Sequence, residues 1–475
     1  MSGGPRNGDA GAAFGSLDGV RVVDLSHMLS GPYCTMLLSD HGADVVKVEP
    51  IAGDGARRFG PFPPGGPNRW GFGGYFQSVN RGKRSVAVDL KQPEGREVVR
   101  RLAASADVLI ENFRPGVMDR LGLSYEALRE ENPGLVYAAI RGFGDPRTGL
   151  GTRGDLPAFD LNAQALGGFM SITGAEGEPM KAGPGIGDIF PAVLCSFGIV
   201  SALRHRDRTG EGQYLDVAMY DALVALCERI VYQHSYTGLV PQGQGNEHPL
   251  LSVYGVFPTL DGLVTIAAPA DDLSARLFRQ IGRPEMAADE RFATVGARLH
   301  NARELRGIIE DWTSTRTTDE VVGSLAGVVA VGAVQDAAAI VADPHLHARD
   351  MTVPLEHPNH PEPVTVAGVP VKMTRTPGAV RDRAPLLGEH VEAILGELGY
   401  DASRVADLAR RGVVGEPPPA PAGGGAAGGA PTVPDAAGAP AGGSAPRAAE
   451  ATDGTAFGAA DGAPVTGASV PPTRA

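Results

Sequence analysis

The chain has 475 residues, with 42 Lys and Arg against 55 Asp and Glu, a formal net charge of −13 at pH 7. That length allows two or three domains of roughly 150 residues each, and the acidic balance argues against general nucleic-acid binding while leaving room for a local phosphate-holding patch. Three cysteines (Cys34, Cys195 and Cys227) without a C-x-x-C pair exclude a disulfide framework and predict reduced core thiols in a cytoplasmic protein.

Residues 1–16 are small and polar, with no apolar signal segment, and are expected to be flexible. Val20–Leu25 is a compact β-branched run, and Gly31-Pro32 then opens a helical stretch over Tyr33–Asp40. Ala43–Val48 and Lys83–Leu90 predict a second and a third strand. Pro93 starts a helix over Glu94–Ala104, and Asp107–Glu111 and Leu135–Ile140 add two more strands. Alternating β and α elements of this length imply an α/β fold with right-handed crossovers and a mostly parallel sheet. Ligands of such sheets bind past the carboxyl ends of the strands, which directs attention to Ser26–Gly31, Glu49–Arg58, Asn112–Arg120 and Arg141–Gly144.

Farther along, Gly183–Asp188 is turn-rich and leads into the apolar run Ile189–Leu203, with Asp188 as the expected N-cap and Pro191 in the first turn. A helix is expected over Val217–Tyr236. Residues 250–345 read as a smaller α/β unit with a strand pair, Tyr254–Phe257 and Leu263–Ala267, around an Asp261-Gly262 turn. Pro-rich residues 354–385 read as an extended connection, and Val391–Leu398 as a last short helix. Residues 416–475 hold 19 Ala, 12 Gly and 11 Pro with Phe457 as their sole aromatic, a composition expected to stay disordered. The apolar uncharged stretches Ile189–Leu203 and Val321–Gln335 fall short of the roughly 18 residues of a membrane span, so no membrane partner is expected.

Glycine-rich dinucleotide and P-loop fingerprints do not occur, nor does a G-x-S-x-G elbow or an H-E-x-x-H motif. The pairs His345/His347 and His357/His360 lack further ligands at metal spacing, so no metal is expected. Arg57, Arg58, Arg81, Lys83, Arg84, Arg114, Arg120 and Arg141 recur near strand ends, which suits a phosphate-bearing ligand. Asp188, at a helix start, is expected to stay ionised and is a candidate nucleophile toward an activated acyl group.

The segments GVRVVDLSHMLSGPYCTMLLSDHGADVVKVEP, NRGKRSVAVDLKQPEGREVVRRLAASADVLIENFRPGVMDRLG, FDLNAQALGGFMSITG, GIGDIFPAV, RTGEGQYLDVAMYDAL and APLLGEHVEAILGELGY resemble the class III CoA-transferases along residues 17–400. The family includes formyl-CoA and carnitine CoA-transferases and α-methylacyl-CoA racemases. The resemblance implies a Rossmann-like large domain from residues 17–210 with 384–415 and a small α/β domain over 251–345. Linkers at 211–250 and 346–383 would join them, in an interlocked homodimer.

It implies CoA transfer between an acyl-CoA and a free carboxylic acid, with a CoA thioester as substrate and no permanently bound cofactor. Asp188 matches the family's nucleophile, which passes through an aspartyl anhydride and an aspartyl-CoA thioester, with helix-end N–H groups stabilising the oxyanions. CoA contacts carry over to His27, Met28, Lys83, Arg84, Asn112, Phe113, Val117, Arg120 and Phe159, with Lys83 and Arg120 on phosphates. Arg57 is a candidate substitute for the basic residue that formyl-CoA transferases carry where Pro50 stands here. Racemase relatives carry a histidine where this chain has Phe159, directly before Asp160, and its loss favours transfer over racemisation. A racemase or a non-catalytic CoA-binding protein is the alternative. Leu29 stands where formyl-CoA transferases have a glutamine, which suits a larger, less polar acid.

Overall fold

A computed structural model of the protein describes residues 15–62, 71–149, 151–154, 156–358 and 360–415. The expected disordered tail, residues 416–475, lies outside the described residues, as do residues 1–14 of the expected flexible N-terminus.

Six strands form a wholly parallel sheet: β1 (Arg21–Asp24), β2 (Asp44–Glu49), β3 (Arg84–Ala87), β4 (Val108–Glu111), β5 (Val136–Arg141) and β6 (Tyr214–Ala218). Their order, β3-β2-β1-β4-β5-β6, is the doubly wound order of dinucleotide-binding folds, which reverses direction between β1 and β4. The first five of these strands are buried on both faces and are correspondingly rich in Val, Ile and Ala, whereas β6 is half-buried. The helices between them are α1 (Ser30–Asp40), α2 (Gly74–Asn80), α3 (Pro93–Ala104), α4 (Val117–Arg120), α5 (Tyr125–Glu131), α6 (Asp160–Leu166) and α7 (Ile186–Thr209).

Two apolar cores flank the sheet. One joins Val23, Val48, Leu109 and Tyr137 to the Val98/Leu102 face of α3, and it takes in Ile394, Leu395, Leu408 and Val413 from the end of the described chain. That late segment also bonds to the sheet edge, where Val88 bridges Val414. The other core packs α1 and α7 on the opposite face through Cys34, Leu38, Ala192, Cys195 and Ile199. All three cysteines are buried and unpaired.

Beyond β6 come α8 (Met219–Leu226) and α9 (Glu228–Thr237). The helix expected over Val217–Tyr236 is therefore a strand end and two helices that break at Cys227. A second sheet, antiparallel in the order β10-β9-β8-β7, comprises β7 (Glu247–His248), β8 (Leu251–Pro258), β9 (Leu263–Ala267) and β10 (Ala330–Ala333). It has its own core around Phe257, Ile266, Phe278 and Ile309. The Pro-rich connection is not merely extended. It folds into a hairpin of β11 (Thr352–His357) and β12 (His360–Ala367), whose outward-facing prolines leave enough N–H groups to pair two strands that lie in no larger sheet.

Among the described residues, α7 is the one helix long and apolar enough to cross a membrane by length and composition. It packs on α1, α6, α8, β5 and β6, the position of a core helix.

Candidate active site

The strand order reverses between β1 and β4, so the crevice of this sheet lies past their carboxyl ends. The loop after β1 and the turn after β4 are locked together there. The side-chain oxygen of Asn112 accepts from the His27 N–H (2.8 Å), and its Nδ2 donates to the His27 carbonyl (2.8 Å). The His27 and Phe113 rings meet edge to face at 5.1 Å. Behind them, buried Glu111 accepts from the Phe113 N–H (2.7 Å) and from Arg141 Nη2 (2.7 Å), which sets the turn.

Met28 adopts a left-handed conformation at φ 66°, and its N–H donates to both oxygens of Asp54. Asp54 is held by Lys47 Nζ at 3.0 Å, and Lys47 also donates to the Ser26 carbonyl (2.9 Å). Lys83 Nζ donates to Asp24 Oδ2, the Pro32 carbonyl and Asn80 Oδ1 at 2.9–3.0 Å. Burial pushes Lys83 down to about 8, partly offset by Asp24. Burial also works against the Asp24 carboxylate, but Lys83, Lys47 and the Ser26 and Thr35 hydroxyls outweigh it and hold it well below the usual range. Gly31 completes the loop because a Cβ there would lie 2.1 Å from the Ser26 Cβ.

A cavity of about 420 Å³ opens past these strand ends. His27, Phe113 and Val117 line it, as the sequence reading expects, together with Ile51, Leu90 and Lys91. Arg120 stands at the exposed end of α4 nearby. Lys83 and Arg84 are not brought there. Lys83 is buried with its three donors engaged, and Arg84 reaches back to Asp44 and Glu397 at the amino end of the sheet. Arg57 does not take the place of a basic residue at position 50 either, since it is buried and bidentate on Glu49 (2.7 Å each). The basic residue that sequence reasoning passed over is Lys91, four residues past the end of β3. Its signal was position: a lysine after a parallel strand faces the ligand edge, whereas one before it does not.

Asp188 lies across the loop from this cavity, near the start of α7. The helix begins at Ile186, earlier than expected, with Gly185 as N-cap and Pro191 inside the helix. The carboxylate that serves the helix end is Asp160, whose Oδ1 accepts from the Gly187 N–H (2.7 Å) and from Gln164 Nε2 (2.9 Å). This approach requires glycine at 187, where a Cβ would sit 2.6 Å from the Asp160 carbonyl oxygen, while Gly185 lies against Leu29, whose Cδ2 would be 2.9 Å from a Cβ there. The expected oxyanion donors are engaged inside the turn: the N–H groups of Ile186, Asp188 and Ile189 go to the Pro184 and Gly185 carbonyls.

Among the described residues, nothing donates a hydrogen bond to the Asp188 carboxylate. Burial and the neighbouring Asp160 charge push it up to about 7, so it is not held ionised as the helix-start argument expects. Burial, with Asp188 next, likewise pushes the Tyr75 hydroxyl up to about 12, which sets Tyr75 beside the same acid. Phe159 caps α6 and is 73% exposed, next to Asp160 rather than in the cavity. A second cavity, about 750 Å³ and mostly apolar, runs from Leu29 and Ile189 past Tyr33 to the β11–β12 hairpin.

The sequence profile described as CoA-transferase family III matches residues 17–391. A succinyl-CoA:mesaconate CoA-transferase of Haloarcula hispanica is 51% identical over 387 residues, covering 81% of this chain and 97% of that protein. A succinate–glutarate CoA-transferase of Agrobacterium fabrum is 39% identical over 388 residues, covering 80% and 95%. Among solved structures, a CaiB/BaiF family protein from Brucella suis superposes with a TM-score of 0.72 at 36% identity, covering 82% of this chain and all of that one.

The raised Asp188 carboxyl has a consequence for stability. Between the unfolded value of 3.8 and about 7 the folded chain binds more protons than the unfolded one, so this group destabilises the fold as pH rises, fully so above about 7. Asp188→Asn should therefore be more stable than the parent at pH 8, by on the order of a few kcal/mol, and lose that advantage toward pH 4. Urea unfolding at both pH values checks this, and equal stability at pH 8 would contradict it.

Proposed function

The chain belongs to CoA-transferase family III, and from that membership we propose that Asp188 is the nucleophile of a CoA exchange between succinyl-CoA and a free dicarboxylic acid. The enzyme moves CoA between an acyl-CoA thioester and a carboxylic acid. The observation that carries the role of Asp188 is a half-buried carboxyl with no donor on it among the described residues, in the first turn of a helix whose Gly185 lies against Leu29 of the first loop. Relatives named for succinyl-CoA with mesaconate, D-citramalate and L-malate, and one named for succinate and glutarate, support the dicarboxylate reading. Apolar Leu29 at the site supports an acid larger than formate.

In this reading the Asp188 carboxylate attacks the thioester carbonyl, the C–S bond breaks, and a mixed anhydride and CoA thiolate form. The thiolate attacks the aspartyl carbonyl, which releases the donor acid and leaves Asp188 as a CoA thioester. The acceptor carboxylate displaces the thiolate to give a second anhydride. The thiolate then takes the acceptor acyl group and restores the aspartate. CoA lies along the cavity walled by His27, Phe113 and Val117, with Met28 and Asn112 shaping its rim and Lys91 and Arg120 toward its phosphates.

The large domain, on this reading, comprises residues 17–210 with 384–415, supported by the shared core of Leu109 and Ile394, and the small domain 251–345, supported by its separate core. The α7 stripe Val193, Phe197 and Val200, exposed at spacing i, i+4, i+7, supports a second copy of the chain lying over it. Three unpaired buried thiols suit the cytoplasm.

Incubating the protein with succinyl-CoA and a panel of mono- and dicarboxylic acids should yield new CoA thioesters by mass spectrometry. Asp188→Ala should abolish them, and kcat/KM should fall about tenfold per pH unit below about 7 as the nucleophile protonates. Label exchange at the α-carbon without new thioesters would instead support a racemase. By calorimetry, Lys91→Ala should weaken CoA binding several-fold while Arg84→Ala leaves it unchanged, and the reverse pattern would restore the contact at Arg84. Light scattering should give twice the chain mass, and a monomer would remove the second copy from the reading.

A further inference from the structure

Gln164, on α6, is fully buried and takes no part in the steps above. Its amide nitrogen donates to both oxygens of Asp160, at 2.9 Å each, and its amide oxygen accepts from the Ala182 N–H at 2.8 Å. Both ends fix its orientation: a backbone N–H can meet only the oxygen, and a carboxylate can meet only the NH2 group. Burying an amide without partners is costly, and here each polar atom of the side chain has one.

Both bonds lead to the turn that carries Asp188. Ala182 opens the segment Ala182-Gly183-Pro184-Gly185 that runs into α7, and Asp160 in turn accepts from the Gly187 N–H (2.7 Å) in the first turn of that helix. Gln164 therefore pins the approach to α7 at one end and, through Asp160, the helix start at the other. Gly183 and Pro184 between the two points are exposed, and a Cβ on Gly183 would meet nothing within 4 Å. Lys181 donates to the Ala182 and Gly183 carbonyls, but those bonds are local and tie the segment to no other element. Asp188 follows Gly187 directly, and among the described residues no donor steers its carboxylate, so its direction depends on the backbone of this turn.

We propose that Gln164 is a positioning residue: by strapping Ala182 and Asp160 together, it holds the first turn of α7 where the Asp188 carboxylate reaches the thioester carbonyl. This rests on the reading of Asp188 as the nucleophile and adds the group that aims it. Attack on a carbonyl needs the reacting atoms aligned within about 3–3.5 Å, and a displacement of about 1 Å costs on the order of 100-fold in rate. An apolar side chain of the same size would fill the space at 164 but leave the Ala182 N–H and the Asp160 carboxylate without this partner. The role thus belongs to the amide and not to its bulk.

The test inverts the strap. Gln164→Glu alone sets two carboxylates against each other, whereas Asp160→Asn alone is milder, because the oxygen left at 160 can still accept from Gly187 and Gln164. In the double variant the two groups change places: the new amide at 160 donates to the new carboxylate at 164, and the Gly187 and Ala182 N–H groups each keep an oxygen. Transfer from succinyl-CoA to the best acceptor of the panel above is measured at pH 8, where Asp188 is mostly ionised, with CoA affinity followed by calorimetry. Gln164→Glu and Gln164→Met should each lose roughly 10- to 100-fold in kcat with CoA affinity within about twofold of wild type. Adding Asp160→Asn should restore Gln164→Glu by about tenfold or more and do nothing for Gln164→Met. A double variant no faster than Gln164→Glu, or a Gln164→Met with the wild-type kcat, overturns the assignment. So does a loss of CoA affinity that tracks the loss of kcat, which would make Gln164 a support of the whole fold. The reading of Asp188 fails by a separate result: Asp188→Ala keeps the wild-type kcat, or the wild type forms no new thioester.

Discussion

The buried charge network beneath the first loop is the constraint on which the site depends. Asp24, Lys47, Lys83, Glu49, Asp54 and Arg57 are all nearly inaccessible, with Asp24 and Lys47 at 0% exposure. Taking such charges out of water is costly, and they persist because each meets an opposite charge or several hydrogen bonds. Removing one member leaves its partner stranded, at about 3–5 kcal/mol. The return on this arrangement is shape. Lys47 and Asp54 reach the Ser26 carbonyl and the Met28 N–H, and together they hold Met28 at a backbone angle that a residue with a Cβ rarely adopts. The loop so shaped presents His27 to Phe113 and Leu29 to Gly185, and therefore links the CoA cavity to the start of α7.

Two aspartates near that helix divide the work. Asp160 takes the Gly187 N–H and the Gln164 amide, completing the helix end and fixing the turn. Asp188 is the third residue of the same helix, with no donor on it among the described residues, and burial and the Asp160 charge work against its ionisation. A carboxylate with its lone pairs engaged makes a poor nucleophile, whereas one that is bare and partly desolvated is reactive once ionised. Neighbouring acids whose surroundings give them different tasks are a recurrent device of catalytic sites. The glycine at 187 is what lets the first turn of α7 lie against Asp160.

Much of the fold was legible in the chain. Five of the six parallel strands show as β-branched runs, because strands covered on both faces must be apolar along their whole length. The sixth, Tyr214–Ala218, was missed, since its half-exposed residues include Asp216 and its end, Val217–Ala218, overlaps the expected helix and runs straight into α8. The β11–β12 hairpin was hidden by its prolines, which in a two-stranded ribbon can point away from the ladder. His27, Asn112, Phe113 and Val117 fall within the segments Ser26–Gly31 and Asn112–Arg120 that strand-end position marked for search, and the structure brings those segments together.

The sequence by itself determined the alternation of strands and helices, the location of the ligand edge, the block that carries Asp188 and the resemblance to its family. These depend on local patterning and on residues close together in the chain. Only the tertiary structure decided which charges are available. Lys83, Arg84, Arg57 and Lys91 all lie near strand ends, yet the first three are claimed by Asp24, Asp44 and Glu49 while Lys91 faces the cavity. Likewise it gave the capping role expected of Asp188 to Asp160, 28 residues earlier in the chain. The physical reason is the same in both cases. A charged group's state depends on the partners and the burial it meets in space, and those come from segments far away in sequence.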